Sequence, residues 1–348
     1  MDVISRVCWP NPTELAGIGS TSDSPTCGTA DLRQPPPSSS HSVPTVAILL
    51  CTYQGAAHLE EQLVSYAKQH FQPWVLCVSD DGSLDESLQI LHRFQTRMGA
   101  HRVSIKEGPR KGCAFNFLAL ASDPPARADY YAYSDQDDVW EADKLERAVA
   151  WLQTIAAHVP ALYCSRTRIV DHQDINVRLS PLFSHAPNFA NAIVQNIGGG
   201  NTMVFNEAAR RLIAQTTDAS RVVSHDWWTY ILVAACGGAV RYDPHPSVRY
   251  RQHAKNLVGA NNSWRARLMR ARMLVQGRFK EWNRQNIEAL QSLEHLITPE
   301  NRQTLGLFTQ ARQATFWQRP FALQRSGVSR QTWTGHLSLF VAALVGKI

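Results

Sequence analysis

The chain has 348 residues, of which 44% are hydrophobic and 18% charged, enough to build the core of one large domain or two smaller ones. This composition excludes a disordered or collagen-like protein, and no apolar run approaches the ~20 residues that a membrane-spanning helix needs. Seven cysteines lie scattered without a Cys-x-x-Cys pair, which indicates a reducing compartment. The N-terminus lacks a signal-peptide pattern, so we expect a cytoplasmic protein.

Charge is distributed unevenly along the chain, whose formal net charge is +6. Residues 261–348 hold thirteen Lys or Arg and four Asp or Glu. A basic C-terminal part indicates contact with an anionic surface, either a membrane or nucleic acid, and the alternative is a solvated helical face. No motif supports the nucleic-acid interpretation, so we expect no nucleic-acid partner.

Strand and helix patterns alternate along the first half of the chain. Residues 1–43 are rich in Ser, Thr, Pro and Gly, which predicts a disordered leader. The predicted strands are 46–51, 74–78, 103–105 and 130–133, and helical spacing follows at 58–70, 85–98 and 141–157. This alternation predicts an α/β fold with a mainly parallel sheet flanked by helices. Beyond it we expect a strand at 161–170, an apolar helix at 225–236 and a helical, basic segment from 264.

Polar clusters follow three of these strands, at the edge where a parallel sheet binds its ligands. The clusters are Thr52-Tyr53, Asp80-Asp81-Gly82-Ser83 and Asp135-Gln136-Asp137-Asp138. Three carboxylates within four residues repel one another unless a cation or hydrogen bonds compensate, and hard cations such as Mg²⁺ prefer carboxylate oxygens. The alternative is that Asp137 or Asp138 caps the following helix. Asp80 and Asp81 likewise predict either contacts to a nucleoside or an Asx turn with a helix cap.

Three further segments carry candidate functional residues. Arg110-Lys111-Gly112 precedes a helix and predicts either a diphosphate contact or a solvated basic loop. Asp226 opens an apolar helix, as a general base or as its N-cap. His253 is either a structural residue or a ligand for a metal of the Mn²⁺ class. The usual motifs of dehydrogenases, ATPases, zinc peptidases and esterases are missing from the sequence.

The ordered combination of these clusters resembles the inverting glycosyltransferases of family 2, which have the GT-A fold. Three closer motifs resemble the rhamnosyltransferase-like members that act in surface polysaccharide synthesis: Ser134 to Trp140, His225 to Trp228 and Tyr250 to His253. The resemblance covers residues 44–260, so we expect a GT-A domain there and a helical, basic C-terminal region at 261–348. One departure is Gln54, where the family commonly has Asn.

The resemblance implies a role for each matching position. The nucleoside and diphosphate of a nucleotide-sugar donor would be held by Thr52, Tyr53, Asp80, Asp81, Lys111, Asp135 and Gln136. Mg²⁺ or Mn²⁺ would be bound by Asp135, Asp137 and His253. Asp226 would be the catalytic base, and the acceptor side would be lined by Gly199, Gly200, Asn201 and Trp227.

The activity that the resemblance implies is transfer of one sugar, with L-rhamnose from dTDP-rhamnose as the first candidate, to a lipid-linked saccharide acceptor in surface polysaccharide or O-antigen synthesis. The processive Gln-x-x-Arg-Trp signature is missing, which favours single transfer over polymerisation. Alternatives are a hexosyl or N-acetylhexosaminyl transferase that uses a UDP-sugar, and a catalytically silent sugar-binding scaffold on the same fold. A nucleotidyltransferase is disfavoured, because that class normally needs a basic, Gly-rich loop after the first strand.

Aromatic and apolar residues lie within the basic C-terminal region. They are Trp282, Phe316, Trp317, Trp333 and the run 337–345. This composition predicts either a segment that binds the inner face of the cell membrane peripherally, or helices that pack on the catalytic domain.

Overall fold

A computed structural model describes residues 43–171, 178–216, 222–251 and 276–348. The predicted leader up to residue 42, the domain boundary at residue 260, and His253 therefore lie outside the described residues. The strands are β1 Val46–Thr52, β2 Trp74–Asp80, β3 Val103–Glu107, β4 Tyr130–Ser134, β5 Val139–Trp140, β6 Ala161–Val170, β7 Arg178–Leu179, β8 Val204–Asn206 and β9 Ala239–Arg251. The helices of the first 251 residues are α1 Ala56–Ala67, α2 Ser87–Met98, α3 Cys113–Ser122, α4 Lys144–Leu152, α5 Phe189–Ala192, α6 Glu207–Ile213 and α7 His225–Ala235.

One sheet organises these elements, in the strand order β3-β2-β1-β4-β8-β6-β9-β5, with β7 paired to β6. The pairs β3-β2, β2-β1 and β1-β4 are parallel, which confirms the fold class that the alternating pattern predicts. The sequence pattern did not predict β8, which inserts antiparallel between β4 and β6. β9 then runs parallel to β6 and antiparallel to β5.

Strand β1 lies at the centre of two hydrophobic cores, because its alternate side chains enter opposite faces of the sheet. Val46, Ile48 and Leu50 belong to the core on one side, with residues of α1, α2 and α4. Ala47, Leu49 and Cys51 belong to the other core, with residues of α3, α5, α6 and α7. The continuous apolar run therefore corresponds to a strand that is buried on both faces, as the sequence predicts.

The helix expected at 141–157 is shorter than its pattern indicates. Val139 and Trp140 pair with Arg249 and Val248 of β9 as the short strand β5, and helix α4 begins only at Lys144. The backbone N–H of Glu141 also donates to the carbonyl of Ser247 in β9 (2.9 Å), so a tertiary contact holds the first residue of the expected helix outside α4. The helix ends at Leu152.

The register of the parallel strands brings the polar clusters together. Thr52 lies opposite Asp80 in the β1-β2 pair, and Leu50 lies opposite Ser134 in the β1-β4 pair. The carboxyl ends of β1, β2 and β4 therefore meet at one edge of the sheet, where open α/β sheets bind ligands.

The described part of the C-terminal region, residues 276–348, is helical, as the sequence predicts. Its helices are α8 Arg278–Gln291, α9 Pro299–Gln313, α10 Arg319–Ser326 and α11 Trp333–Leu344. Their buried side chains, among them Leu290, Phe308 and Leu339, join the core that contains α7. The indoles of Trp282 on α8 and Trp227 on α7 meet edge to face, with ring centroids 6.5 Å apart. Among the described helices, none combines the length and apolarity required to cross a membrane.

Candidate active site

Asp80 ties the ends of β1 and β2 together. Its carboxylate accepts hydrogen bonds from the hydroxyls of Thr52 (2.7 Å) and Ser83 (2.6 Å), and from the backbone N–H groups of Gly82 (3.1 Å) and Ser83 (2.8 Å). Four donors fill the acceptor positions of a carboxylate, and Asp80 is only 4% exposed. The Asx turn is therefore present, and Thr52 and Asp80 shape the edge from within.

Asp81 holds the basic loop that follows β3. Its two carboxylate oxygens accept the backbone N–H groups of Arg110 (2.6 Å) and Gly112 (3.0 Å). Arg110 has φ +57°, a conformation that few residues other than glycine adopt, so the clamp stabilises an otherwise unfavourable turn. Arg110 and Lys111 are exposed, and the Lys111 ammonium lies 4.9 Å from the centre of the Phe115 ring. Two cations are thus presented beside the end of β2.

Gln136 joins the loop after β4 to the loop after β1. Its side-chain oxygen accepts the backbone N–H of Tyr53 (2.8 Å), and its side-chain nitrogen donates to the carbonyl of Tyr53 (2.9 Å). Gly55 makes this contact possible, because a Cβ there would overlap the Gln136 amide. Gln54, which lies between Tyr53 and Gly55, has φ +52°, in the left-handed region that Asn adopts more readily than Gln. Gln136 therefore positions the Tyr53 ring, which is 58% exposed at the edge.

Asp138 is the internal member of the carboxylate cluster, with 1% exposure. Its side-chain oxygens accept hydrogen bonds from the Asn201 amide and from the backbone N–H of Arg251 (3.4 Å). Burial is the main cause that raises the pKa of Asp138 to about 8, and the negative charge of Asp137 is the second. The capping interpretation is wrong for both residues, because the residue that precedes helix α4 is Asp143.

Lys144 lies buried near this carboxylate, and none of the described residues accepts a hydrogen bond from its ammonium. Its nitrogen lies 4.3 Å from the centre of the Trp140 ring, a cation–π contact that partly replaces lost hydration. Burial lowers the pKa of Lys144 to about 7, and the charge of Asp138 opposes that shift. This burial is not predictable from the sequence, because a lysine in a helical pattern normally indicates an exposed face.

Asp135 and Asp137 flank Gln136 and are both half-buried, unlike Asp138. They follow the carboxyl end of β4, on either side of the residue whose side chain binds the Tyr53 backbone. Within the described ranges, no three His, Cys, Asp or Glu side chains are arranged to hold a metal ion. A Mg²⁺-type ion typically binds one or two protein carboxylates and completes its shell with substrate phosphates and water. Asp135 and Asp137 fit that donor set.

Asp226 occupies the first turn of helix α7, which begins after Ser224, so the interpretation of Asp226 as the N-cap residue is wrong. One carboxylate oxygen accepts a hydrogen bond from the Asn196 amide (3.0 Å), and the other accepts the backbone N–H of Trp227 (2.7 Å). The carboxylate is half-buried and oriented by these two donors, as a proton acceptor at a reacting hydroxyl must be.

His225 occupies the space that the glycine-rich loop provides. Its ring stacks on Phe117 at 3.9 Å between centroids and meets Tyr133 edge to face at 5.0 Å. A Cβ on Gly200 would overlap His225 Nε2. Burial lowers the pKa of His225 to about 4, so the imidazole is neutral near pH 7. The residue was missed in the sequence, although it directly precedes Asp226.

The four residues predicted on the acceptor side differ in exposure. Gly199 is exposed, whereas Gly200, Asn201 and Trp227 are buried. The Trp227 indole N–H donates to the carbonyl of Ala192 (2.7 Å). Gly200 therefore makes room for His225, Asn201 binds Asp138, and Trp227 packs against α8, while Gly199 remains at the surface.

Known proteins resemble this chain in sequence and in fold. The family model for glycosyl transferase family 2 matches residues 47–215. The dTDP-rhamnosyl transferase RfbG of Shigella flexneri is 30% identical over 230 residues, which cover 64% of this chain and 77% of RfbG. An uncharacterized glycosyltransferase of Haemophilus influenzae is 26% identical over 114 residues, covering 32% of this chain and 43% of that protein. The crystal structure of S. aureus TarS 1-349 in complex with UDP matches with a TM-score of 0.51 and 13% identity, covering 86% of this chain and 90% of TarS 1-349.

The sheet, its polar edge and these matches define a glycosyltransferase of the GT-A fold. The chain belongs to glycosyltransferase family 2, and its similarity to RfbG makes it rhamnosyltransferase-like.

Replacing Gly200 by Ala should destabilise the protein, because the added methyl group must displace the His225 ring. We expect a loss of about 1–3 kcal/mol in the free energy of unfolding. Gly306→Ala is the matched control, because Gly306 lies exposed in helix α9 with no atom near its Cβ position, so this variant should gain up to about 1 kcal/mol. Denaturant titration measures both, and equal stabilities would refute the packing role of Gly200.

Gln136→Ala and Gln136→Glu separate a backbone clamp from a direct ligand contact. Because Gln136 makes two hydrogen bonds to Tyr53, the alanine variant should lose about 1–3 kcal/mol of stability without any ligand present. The glutamate variant should be no more stable than the alanine variant, since its carboxylate would face the Tyr53 carbonyl. Thermal unfolding of the ligand-free proteins tests this, and unchanged stability of both variants would leave only a ligand contact.

Proposed function

We propose that this enzyme transfers a sugar, with inversion, from a nucleoside-diphosphate donor that binds with Mg²⁺ or Mn²⁺ at the carboxyl edge of β1, β2 and β4. The observation that carries the proposal is that the edge gathers three complementary features. They are the exposed Tyr53 ring, the cations Arg110 and Lys111, and the half-buried carboxylates Asp135 and Asp137.

Each of these features suits one part of the donor. The Tyr53 ring offers a planar surface to a nucleobase, and Gln136 fixes the backbone from which it projects. Arg110 and Lys111 offer positive charge to a diphosphate. Asp81 holds the loop that carries them in place. Asp135 and Asp137 would hold the metal ion, and His253 stays a predicted further ligand outside the described residues.

A bound divalent cation would neutralise the charge that develops on the departing nucleoside diphosphate. The protein's own part in the reaction then lies with Asp226. Asn196 holds its carboxylate in place, and the carboxylate takes the proton of the acceptor hydroxyl as that oxygen attacks the anomeric carbon. Attack from the face opposite the leaving group inverts the anomeric centre through an oxocarbenium-like state.

The first donor candidate is dTDP-L-rhamnose, supported by the similarity to a dTDP-rhamnosyl transferase over most of its length. The alternative donor is a UDP-sugar, supported by the likeness of the fold to a protein crystallised with UDP. We propose a lipid-linked saccharide in surface polysaccharide synthesis as the acceptor. A thermal-shift comparison of dTDP, UDP and GDP with Mn²⁺ tests the donor base, since a ligand of the native state raises the melting temperature. A larger shift with UDP than with dTDP would contradict the rhamnose assignment.

Asp137→Ala should abolish the metal-dependent part of donor binding while the fold survives. Asp137 is half-buried at the edge, so its loss removes a metal ligand without opening the core. Calorimetric titration of dTDP in Mn²⁺ and in EDTA should give the same weak binding for this variant. Glu300→Gln, at an exposed carboxylate in the first turn of α9, should behave as wild type. Undiminished Mn²⁺-dependent binding by Asp137→Ala would remove the metal assignment.

Asp226→Asn should bind donor and metal normally but lose sugar transfer. The amide keeps the size of the side chain and loses the proton acceptor, which typically contributes ~10²–10⁴-fold in rate. The measurement is the transfer rate at saturating donor and metal, with Glu300→Gln again as the charge-matched control. Transfer by Asp226→Asn at close to the wild-type rate would disprove its role as the base.

A further inference from the structure

Exposed apolar side chains are concentrated in the last third of the described residues. Thirteen large hydrophobic side chains are exposed in the described part of the chain, and five of these are spread over residues 43–182. The other eight, here called the aromatic face, are Phe316, Trp317, Phe321, Trp333, Leu337, Val341, Leu344 and Val345. Trp317 is 79% exposed, Trp333 77% and Phe321 75%, so the largest members contribute most to the surface.

Helix α11 is apolar on two opposite sides. Leu339, Ala342 and Ala343 are buried in the core that contains α7. Trp333, Leu337, Val341 and Leu344 follow the helical repeat on the solvent side. One apolar side of α11 is thus buried against the protein. The second apolar stripe faces solvent and adds nothing to the core.

The two parts of the aromatic face are held together by Arg319. Its guanidinium donates to the carbonyl of Ala343 near the end of α11 (3.2 Å) and to the carbonyl of Ala314 before α10 (2.8 Å). These bonds bring the Phe316–Trp317 loop to the end of α11, where Leu344 and Val345 lie. The rings of Phe316 and Trp317 meet edge to face at 4.7 Å. The Phe316–Trp317 loop and the exposed end of α11 are therefore neighbours on an ordered support.

The net charge of the chain coincides with this surface. Residues 301–348 contain six Arg or Lys and no Asp or Glu, whereas the preceding 300 residues contain 29 of each sign. Arg325 on α10 is exposed and Lys347, beyond α11, is half-buried. This excess of positive charge favours an anionic partner at the aromatic face.

We propose that the aromatic face docks on the surface of a bilayer that contains anionic lipids. Tryptophan and phenylalanine rings with flanking basic residues are the side chains that favour the membrane interface, and α11 has only 12 residues. Of the two interpretations that the sequence leaves open for Trp282, its contact agrees with packing on the catalytic domain, because its indole meets that of Trp227 edge to face. Phe321 belongs to the aromatic face, and the sequence did not indicate it.

The aromatic face is connected to the acceptor side of the active site. The backbone N–H of Gln331, two residues before Trp333, donates to the side chain of Gln195 (2.8 Å). The next residue, Asn196, donates to Asp226. Docking would hold the base close to a lipid-linked acceptor, a consequence that rests on the proposed function, whereas docking itself does not.

Vesicle co-sedimentation of the full chain tests the proposal. Wild type should bind vesicles of phosphatidylcholine mixed with phosphatidylglycerol, bind phosphatidylcholine alone far less, and lose binding in high salt. The triple variant Trp317→Ser, Phe321→Ser, Trp333→Ser should bind the anionic vesicles at least about tenfold more weakly, because three apolar side chains no longer enter the interface. Leu182→Ser, at an exposed leucine outside the face, is the matched control and should bind as wild type.

Two further measurements keep the result independent of folding and of the proposed function. The triple variant should keep its melting temperature and its dTDP binding, because the substituted side chains are solvent-exposed. Wild type that fails to bind anionic vesicles, or a triple variant that binds them equally well, would overturn the proposal. A shift from dimer to monomer in the triple variant by sedimentation velocity would also overturn it, since a second copy would then cover the face. Failure of sugar transfer alone would leave vesicle binding unchanged.

Discussion

The buried carboxylate of Asp138 is the constraint on which the active site depends. A polar group in a protein interior is costly unless it is hydrogen-bonded, so the partners of Asp138 must hold it accurately. The Asn201 amide and the Arg251 backbone N–H do so, and they come from the loop before β8 and from the end of β9. One side chain thus joins the parallel half of the sheet to the half that carries the acceptor-side loop. Asp135 and Asp137, in the same segment, are left at the edge where donor and metal are proposed to bind.

The parallel half of the fold was predictable because its signals are local. The apolar run at Val46 can only be a strand buried on both faces, and alternation with helices fixes the parallel order. The antiparallel strand β8 was not predictable, because three residues between a glycine-rich loop and a helix carry no periodic pattern. The expected helix at 141–157 starts later, at Lys144, for a related reason: the backbone N–H of Glu141 binds the carbonyl of Ser247 in β9, and no local propensity indicates such a distant partner.

The site was predicted by residue type, and the structure separates the residues by function. The pattern of carboxylates at strand ends correctly indicated one polar edge, since parallel strands align their ends. Sequence alone did not reveal that Asp80 and Asp138 are enclosed by donors while Asp137 reaches the edge, because burial is decided by distant partners such as Thr52 and Asn201. The surroundings of His225 were not predictable for the same reason, because its ring packs on Phe117 and Tyr133, which are distant in the chain. The burial of Lys144 was not predictable because lysine normally lies on an exposed helix face.

Asp135 and Asp137 are proposed to bind a divalent cation together with the donor diphosphate. Electron paramagnetic resonance, which detects free Mn²⁺, measures how much of the cation the protein binds. Wild-type protein is titrated with Mn²⁺ in the presence and absence of dTDP, with a correction for the Mn²⁺–nucleotide complex in buffer. Since coupling between two ligands is reciprocal, dTDP should tighten Mn²⁺ binding by the same factor by which Mn²⁺ tightens dTDP binding. Equal binding of dTDP in Mn²⁺ and in EDTA would contradict joint binding of the cation and the donor diphosphate.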